Sequence, residues 1–298
     1  MTDLDPRAAH LHHLLLTDEE VSRTDLDALA RSWFPQAGEI SLDAITLGPG
    51  LFLTGPWAVG EAIRGQLDAP SWATSAYLAL CPQERAEALP PELLGTDPIL
   101  DAYPAGIPHG RELEVLRFLH AAARRLAGAL HLAGTAELLQ PDPESAVDLA
   151  VYAPVTLAAE TVVEAIGRDD VSLDGRTRRT WSISMPAVPA MRMPTTSRRG
   201  RRAAVTSEPA GILQVISDRH PMPPLAIAGL EWAAPGARGY EIRWHPPVDY
   251  VSGRLTLAQR RVRAAVIAEA ERIAREVVRL AGGVVVDDDS FLISLGAE

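Results

Sequence analysis

Two histidines carry the sharpest catalytic suggestion in this chain. They stand in Asp218-Arg219-His220-Pro221 and in Arg243-Trp244-His245-Pro246-Pro247-Val248-Asp249, each at the end of a strand-like run. Imidazoles titrate near neutrality, and with a carboxylate in reach they can share a metal or act as an acid–base pair. If the two strand ends are neighbours, His220, His245 and an aspartate (Asp218, Asp249 or one of Asp287–Asp289) would form such a site. A hydrolase is the activity that this arrangement would serve. His-Pro at a strand end is also ordinary turn chemistry, so the distance between the rings decides between the two.

A second stretch offers a different chemistry. Between Arg176 and Thr206 there are eight arginines and no acid. Five of them, Arg192, Arg198, Arg199, Arg201 and Arg202, lie in or beside a run dominated by Met, Pro, Ser, Thr and Arg. Guanidinium forks match phosphate oxygens, so phosphate or RNA is one ligand for such a loop. A solvated loop, or a contact with the protein's own acidic surface, is the competing reading. The other reactive residues carry less. His10, His12 and His13 cluster without a carboxylate or cysteine at ligand spacing. Cys81 precedes Pro82 and has no basic neighbour in sequence to lower its pKa, which favours a small core residue over a nucleophile. His120 and His131 read as surface residues of one helix, three turns apart. Asp287-Asp288-Asp289-Ser290 lacks the alternating spacing and glycine of a calcium loop and reads as a turn. Trp232, Tyr240 and Trp244 are the aromatic residues expected in an exposed patch or groove.

Composition removes whole classes of mechanism. The 298 residues include no lysine and no asparagine, so all 28 basic residues are arginines. A Schiff base to pyridoxal phosphate, a P-loop, a kinase phosphate-binding lysine and Cys-His-Asn chemistry are thereby excluded. Lysine and asparagine codons are AT-rich, so the bias points to a high-GC bacterial genome. A single cysteine allows no internal disulfide and no cysteine-rich zinc site. The net charge of −11 argues against broad nucleic-acid binding. No apolar run approaches membrane-spanning length, and the acidic Met-Thr-Asp-Leu-Asp-Pro start lacks the features of a signal peptide, which makes the cytoplasm the expected compartment. No cofactor or metal is expected.

The elements that must position these residues are organised around one helix. Thr256 and Gln259 have capping-box spacing, and Val262, Val266, Ala270, Ile273, Val277 and Leu280 then recur on one face. Gly282-Gly283 stops the helix and Val284–Val286 starts a strand. A weaker version of the phrase spans Arg111–Gln140, with Leu132-Ala133-Gly134 set against Leu280-Ala281-Gly282. Glu61-Ala62-Ile63 and Glu164-Ala165-Ile166 make a second, fainter match. Residues 1–38 read as a helical preface, with a capping-box spacing at Thr17 and Glu20 and a helix ending before Pro35. Strands are expected over Ile212–Ser217, Leu225–Trp232 and Tyr240–Trp244, and a unit boundary at Pro141–Glu144.

The phrase Ala270-x-x-Ile273-Ala274, ending in Leu280-Ala281-Gly282-Gly283-x-Val285-Val286-Asp287, resembles the last helix and strand of the FtsZ-binding domain of a bacterial division protein. The resemblance involves packing positions only. It implies a split βαβ fold and carries no binding residue across.

The expectation is therefore an α+β protein of two tandem ferredoxin-like units, 39–143 and 144–298, packed as a pseudo-dimer behind a helical extension over 1–38. Its expected role is that of a non-enzymatic interaction or regulatory protein whose partner is another protein or itself. The alternatives are the hydrolase of His220 and His245 and the phosphate or RNA binder of Arg176–Arg202.

Overall fold

The computed structural model describes residues 2–41, 43–176, 180–188, 210–220, 223–233, 236–247, 250 and 255–295. The protein is a mixed α+β molecule with two seven-stranded antiparallel sheets and, among the described residues, eight α-helices. The chain divides into two compact units, Met1–Ser145 and Ala146–Glu298. No helix among the described residues is long and apolar enough to cross a membrane.

The first unit runs α1 (Pro6–Leu11), β1 (His13–Thr17), α2 (Arg23–Trp33), β2 (Gly38–Ser41), β3 (Ala44–Gly48), β4 (Leu51–Ala58), α3 (Glu61–Gln66), β5 (Ser75–Leu80), α4 (Pro98–Asp101), α5 (Gly110–Arg125), β6 (Ala129–His131) and β7 (Leu138–Leu139). Its sheet order is β2-β3-β4-β5-β1-β6-β7. The first 38 residues are thus no separate helical preface: they supply an interior strand of the sheet. All five residues of His13–Thr17 are buried, since elements cover both faces of β1, so the strand lacks the alternation that would mark it in sequence. The capping box of α2 is Ser22 with Asp25, five residues beyond Thr17, which is the last residue of β1.

The second unit runs β8 (Leu149–Ala153), α6 (Ala159–Ile166), β9 (Ser172–Arg176), β10 (Trp181–Pro186), β11 (Ile212–His220), α7 (Leu225–Ala228), β12 (Ala237–His245), α8 (Leu257–Ala281), β13 (Val284–Asp287) and β14 (Leu292–Ile293). The segment expected as a strand from Leu225 is the short helix α7; Pro224 is its N-cap and Leu-Ala-Ile-Ala has no strand alternation. Read from β9, the sheet order is β9-β10-β11-β12-β8-β13-β14. Replacing each strand by its counterpart converts this order into that of the first unit, β8 for β1 and β12 for β5.

The registers make the correspondence residue by residue. Leu15 lies between Tyr77 and Leu130, and Val151 lies between Tyr240 and Val285. Tyr77 donates its hydroxyl hydrogen to Val21 O (3.4 Å), in the loop after β1. Tyr240 donates to Val155 O (2.8 Å) and accepts from Leu157 N–H (2.7 Å), in the loop after β8. The glycines correspond as well, although not as the sequence phrase suggests. A Cβ on Gly128 would strike Leu16 O, and one on Gly283 would strike Tyr152 O, at matching strand positions. The counterpart of Leu126-Ala127-Gly128, before β6, is therefore Ala281-Gly282-Gly283; Leu132-Ala133-Gly134 follows β6. The fainter match also dissolves, because α3 joins β4 to β5 whereas α6 joins β8 to β9.

Each sheet has one heavily covered face. In the second unit α6 and α8 bury Val151, Ile183, Val215, Tyr240, Ile242 and Val285 beneath Val266, Ala270, Ile273 and Val277. In the first, α2 and α5 cover the corresponding face, with Phe118 in edge contact with Trp33 and Phe34. A fully buried side chain of this size contributes about 1.5–3 kcal/mol, so these layers supply most of each unit's stability. The opposite faces differ. In the first unit the N-terminal segment with α1, together with α3, forms a cluster of eleven described buried residues, including Leu4, Ala9, Leu14, Leu78 and Ile63. In the second, α7 forms one of five.

Candidate binding cleft

Strand register separates the two histidines. His245 pairs with Ile212 at one end of the β11–β12 ladder and His220 pairs with Ala237 at the other. Eight residues of antiparallel strand span roughly 27 Å, far beyond shared metal or proton chemistry. His220 and His245 therefore form no joint site. His245 is exposed and its Nε2 meets Gln214 Oε1 at 3.2 Å. Asp249 and Arg192, Arg198, Arg199, Arg201 and Arg202 lie outside the described residues. Tyr240 is fully buried and forms no surface patch. Trp232 is half-buried against Tyr152, Ile227 and Val286, and Trp244 is half-buried, stacked edge-on to Tyr250 with its Nε1–H donated to Ala210 O (2.7 Å). No group of three or more His, Cys, Asp or Glu side chains among the described residues is arranged to hold a metal.

Sequence reading missed a buried polar ring in the first unit. Glu112 on α5 is fully buried and accepts from His13 Nε2 (3.0 Å), Arg85 Nη2 (2.8 Å) and Glu84 N–H (2.7 Å). Ala133 N–H donates to His13 Nδ1 (3.1 Å), so the proton of the neutral ring sits on Nε2 and points at Glu112. Arg85 lies 3.8 Å from the Tyr103 ring centre, and Tyr103 donates to Ala133 O (2.9 Å), which closes the circuit. These groups pin three loops to β1 and α5, although Arg85 Nη1 is buried without a hydrogen-bond partner among the described residues. Burial, and then the Glu112 charge, push the nearby Cys81 up to about 11, so it is a thiol at neutral pH. His131, expected on a helix surface, is buried in β6. Burial, with His13 and His10 adding to it and the backbone at Glu137 and Ala9 partly opposing, lowers its pKa to about 4.

His131 also marks a seat on the sheet. Leu14 is flanked by Leu78 on one side and His131 on the other. Leu4 and Ala9, from the N-terminal segment and α1, close over this triplet. That segment is fastened to β4 by Leu4 N–H to Ala58 O (2.9 Å) and Ala58 N–H to Thr2 O (2.8 Å). In the second unit Ala150 is flanked by Glu241 and Val286 at the same register. There the triplet lines an open cleft of about 250 Å³, bounded by Asp148, Tyr152, Arg243 and the turn residues Asp287, Asp288 and Ser290. Asp148 is placed by its bond from Trp244 N–H (2.8 Å), and Glu241 pairs with Arg243 on the same strand face (2.5 Å). Burial raises the Asp148 pKa above the usual carboxylate value despite that bond. Asp287 accepts from Asp289 N–H and Phe291 N–H and so shapes the turn that forms one wall.

The molecule is thus defined as a two-sheet α+β protein with one sheet seat filled by its own chain and the corresponding seat open among the described residues. Comparison of the chain with models of protein families, with curated proteins and with solved structures finds no match.

Proposed function

We propose that this chain is a non-enzymatic interaction protein, built from two ferredoxin-like units in tandem, that holds another protein in the open cleft of its second unit. What supports the ferredoxin-like reading is the inner strand order, β6-β1-β5-β4 in one unit and β13-β8-β12-β11 in the other. These are the orders of a split βαβ unit, with α2 and α5, or α6 and α8, as the two crossovers. The single observation that carries the binding reading is the pair of equivalent seats. The first is covered by a short segment of the chain, and the second offers the same backbone frame around a cavity.

Such a cleft is smaller than a drug-sized ligand pocket, about 300–1,000 Å³, and fits one or two anchoring side chains of a partner. The test is photo-crosslinking in the protein's own host cell, with the reactive residue placed at Ser290 on the cleft rim or at Glu164, exposed on α6. A protein adduct from position 290 and none from 164 is the expected result. Equal adducts from both positions, or none from either, would end the interaction reading.

A further inference from the structure

From the equivalence of the two seats we infer the partner's chemistry: the open cleft takes a short cationic segment, with an arginine or lysine stem over Ala150 and its charged head between Glu241 and Asp148. This inference rests on the interaction reading and narrows it to one class of partner.

The substitutions at matched positions give the argument. Leu14, which fills its own seat in the first unit, becomes Ala150, which leaves room above the sheet for an aliphatic stem. Leu78, which packs against that segment, becomes Glu241, so an apolar wall becomes a charged one. Asp148 and Asp288 add carboxylates to the lining, and among the described residues Arg243 is the one basic side chain there, already paired to Glu241. Long cationic side chains bury their methylenes on an apolar floor while the head stays among polar groups, and Ala150, Tyr152 and Val286 provide that floor. The first unit shows what backbone fits. Its occupant is an extended tetrapeptide leading into α1, with Pro6 at the first turn and Asp5 as the cap accepting from Arg7 N–H (2.8 Å). A partner strand added at a sheet edge is a different mode, because the seat lies on the face of β8, which is paired on both sides by β12 and β13.

The probe is a peptide of residues 2–13 of this chain, compared with a cationic version carrying Leu4→Arg. Leu4 closes over Leu14 in the first unit, so the change sets a cationic stem over the matching Ala150. Titrated into the 298-residue protein, the cationic peptide should bind about tenfold more tightly than the native-sequence peptide, and raised salt should weaken it. Glu241→Lys with Asp288→Lys should remove most of that binding. Ser290→Arg, a milder change on the rim, should weaken it in a protein whose circular dichroism is unaltered. Equal binding of the two peptides, no binding of the cationic one at millimolar concentration, or binding that survives Glu241→Lys and Asp288→Lys would overturn the cationic assignment. If adducts still form at position 290 in that event, the interaction reading stands and only the partner's chemistry has failed.

Discussion

His131 is the residue with the clearest thermodynamic signature. Its ring is buried and neutral when folded, whereas in the unfolded chain it takes a proton below about pH 6.5. The folded pKa lies lower, at about 4, so the stability it contributes is complete above pH 6.5 and is lost as pH falls toward 4. The loss is on the order of 3 kcal/mol. His131→Val, which copies Val286 at the matching register, should flatten stability between pH 7 and pH 4; urea titrations across that range would show it. Glu112→Gln removes the charge that faces Arg85 and leaves an amide hydrogen against His13 or Glu84 N–H, at a cost of about 3–5 kcal/mol at neutral pH. A thermal midpoint unchanged in the variant would count against a structural role for the ring. Neither residue's part was legible in sequence. His13 and Glu112 are 99 positions apart, and only the docking of α5 on β1 brings them together. His131 reads as helical in sequence because the phrase Leu132-Ala133-Gly134 mimics a helix stop, whereas α5 ends at Arg125.

At the scale of elements, the two units repeat the same devices, and these can be broken singly. Tyr240 hydroxyl holds both Leu157 N–H and Val155 O, so Tyr240→Phe strands a buried donor and should destabilise by about 1–3 kcal/mol. Tyr77 has a single, longer bond to Val21 O, so Tyr77→Phe should cost visibly less; equal losses in a denaturant series would refute the ranking. Gly283 has a φ of 99° and no room for a Cβ over Tyr152 O, so Gly283→Ala combines backbone strain with a collision of the α8–β13 turn with β8. Strain alone is of order 1–3 kcal/mol, and the collision adds to it, so the soluble yield of this variant should fall sharply. The long helix α8 was readable because a capping box, a 3.6-residue stripe and a glycine stop agree along one stretch. The strand β1 was not. Its run is short and buried on both faces, and His13 at its start looks polar until the packing around it is known.

For the molecule as a whole, the repeated topology turns differences between the units into a test of which side chains matter. The first unit carries His131 where the second carries Val286, and the second carries Glu269 buried between arginines. Burial pushes the Glu269 carboxyl up, but the bonds from Arg272 and Arg168 more than offset this and hold it below its ordinary value. Its stabilising effect is present at pH values above the unfolded carboxylate range and is lost only as pH falls through the lowered folded value. The two units should therefore yield to acid in order. Between about pH 6.5 and 4.5 the first unit loses the His131 contribution while Glu269 still stabilises the second. Hydrogen exchange on the full-length chain, corrected for intrinsic rates, should show protection falling first in β1, β6 and α1, with β8, β13 and α8 retained. The α1 segment has a particular place in that sequence, because it covers His131 directly and is the cheapest element to release. A parallel loss in both units, or an earlier loss in the second, would mean that buried imidazole does not govern the acid limb. Retained order in the second unit has a functional corollary: the open cleft, which lies on β8 and β13, would remain competent at a pH where the filled seat has begun to let go.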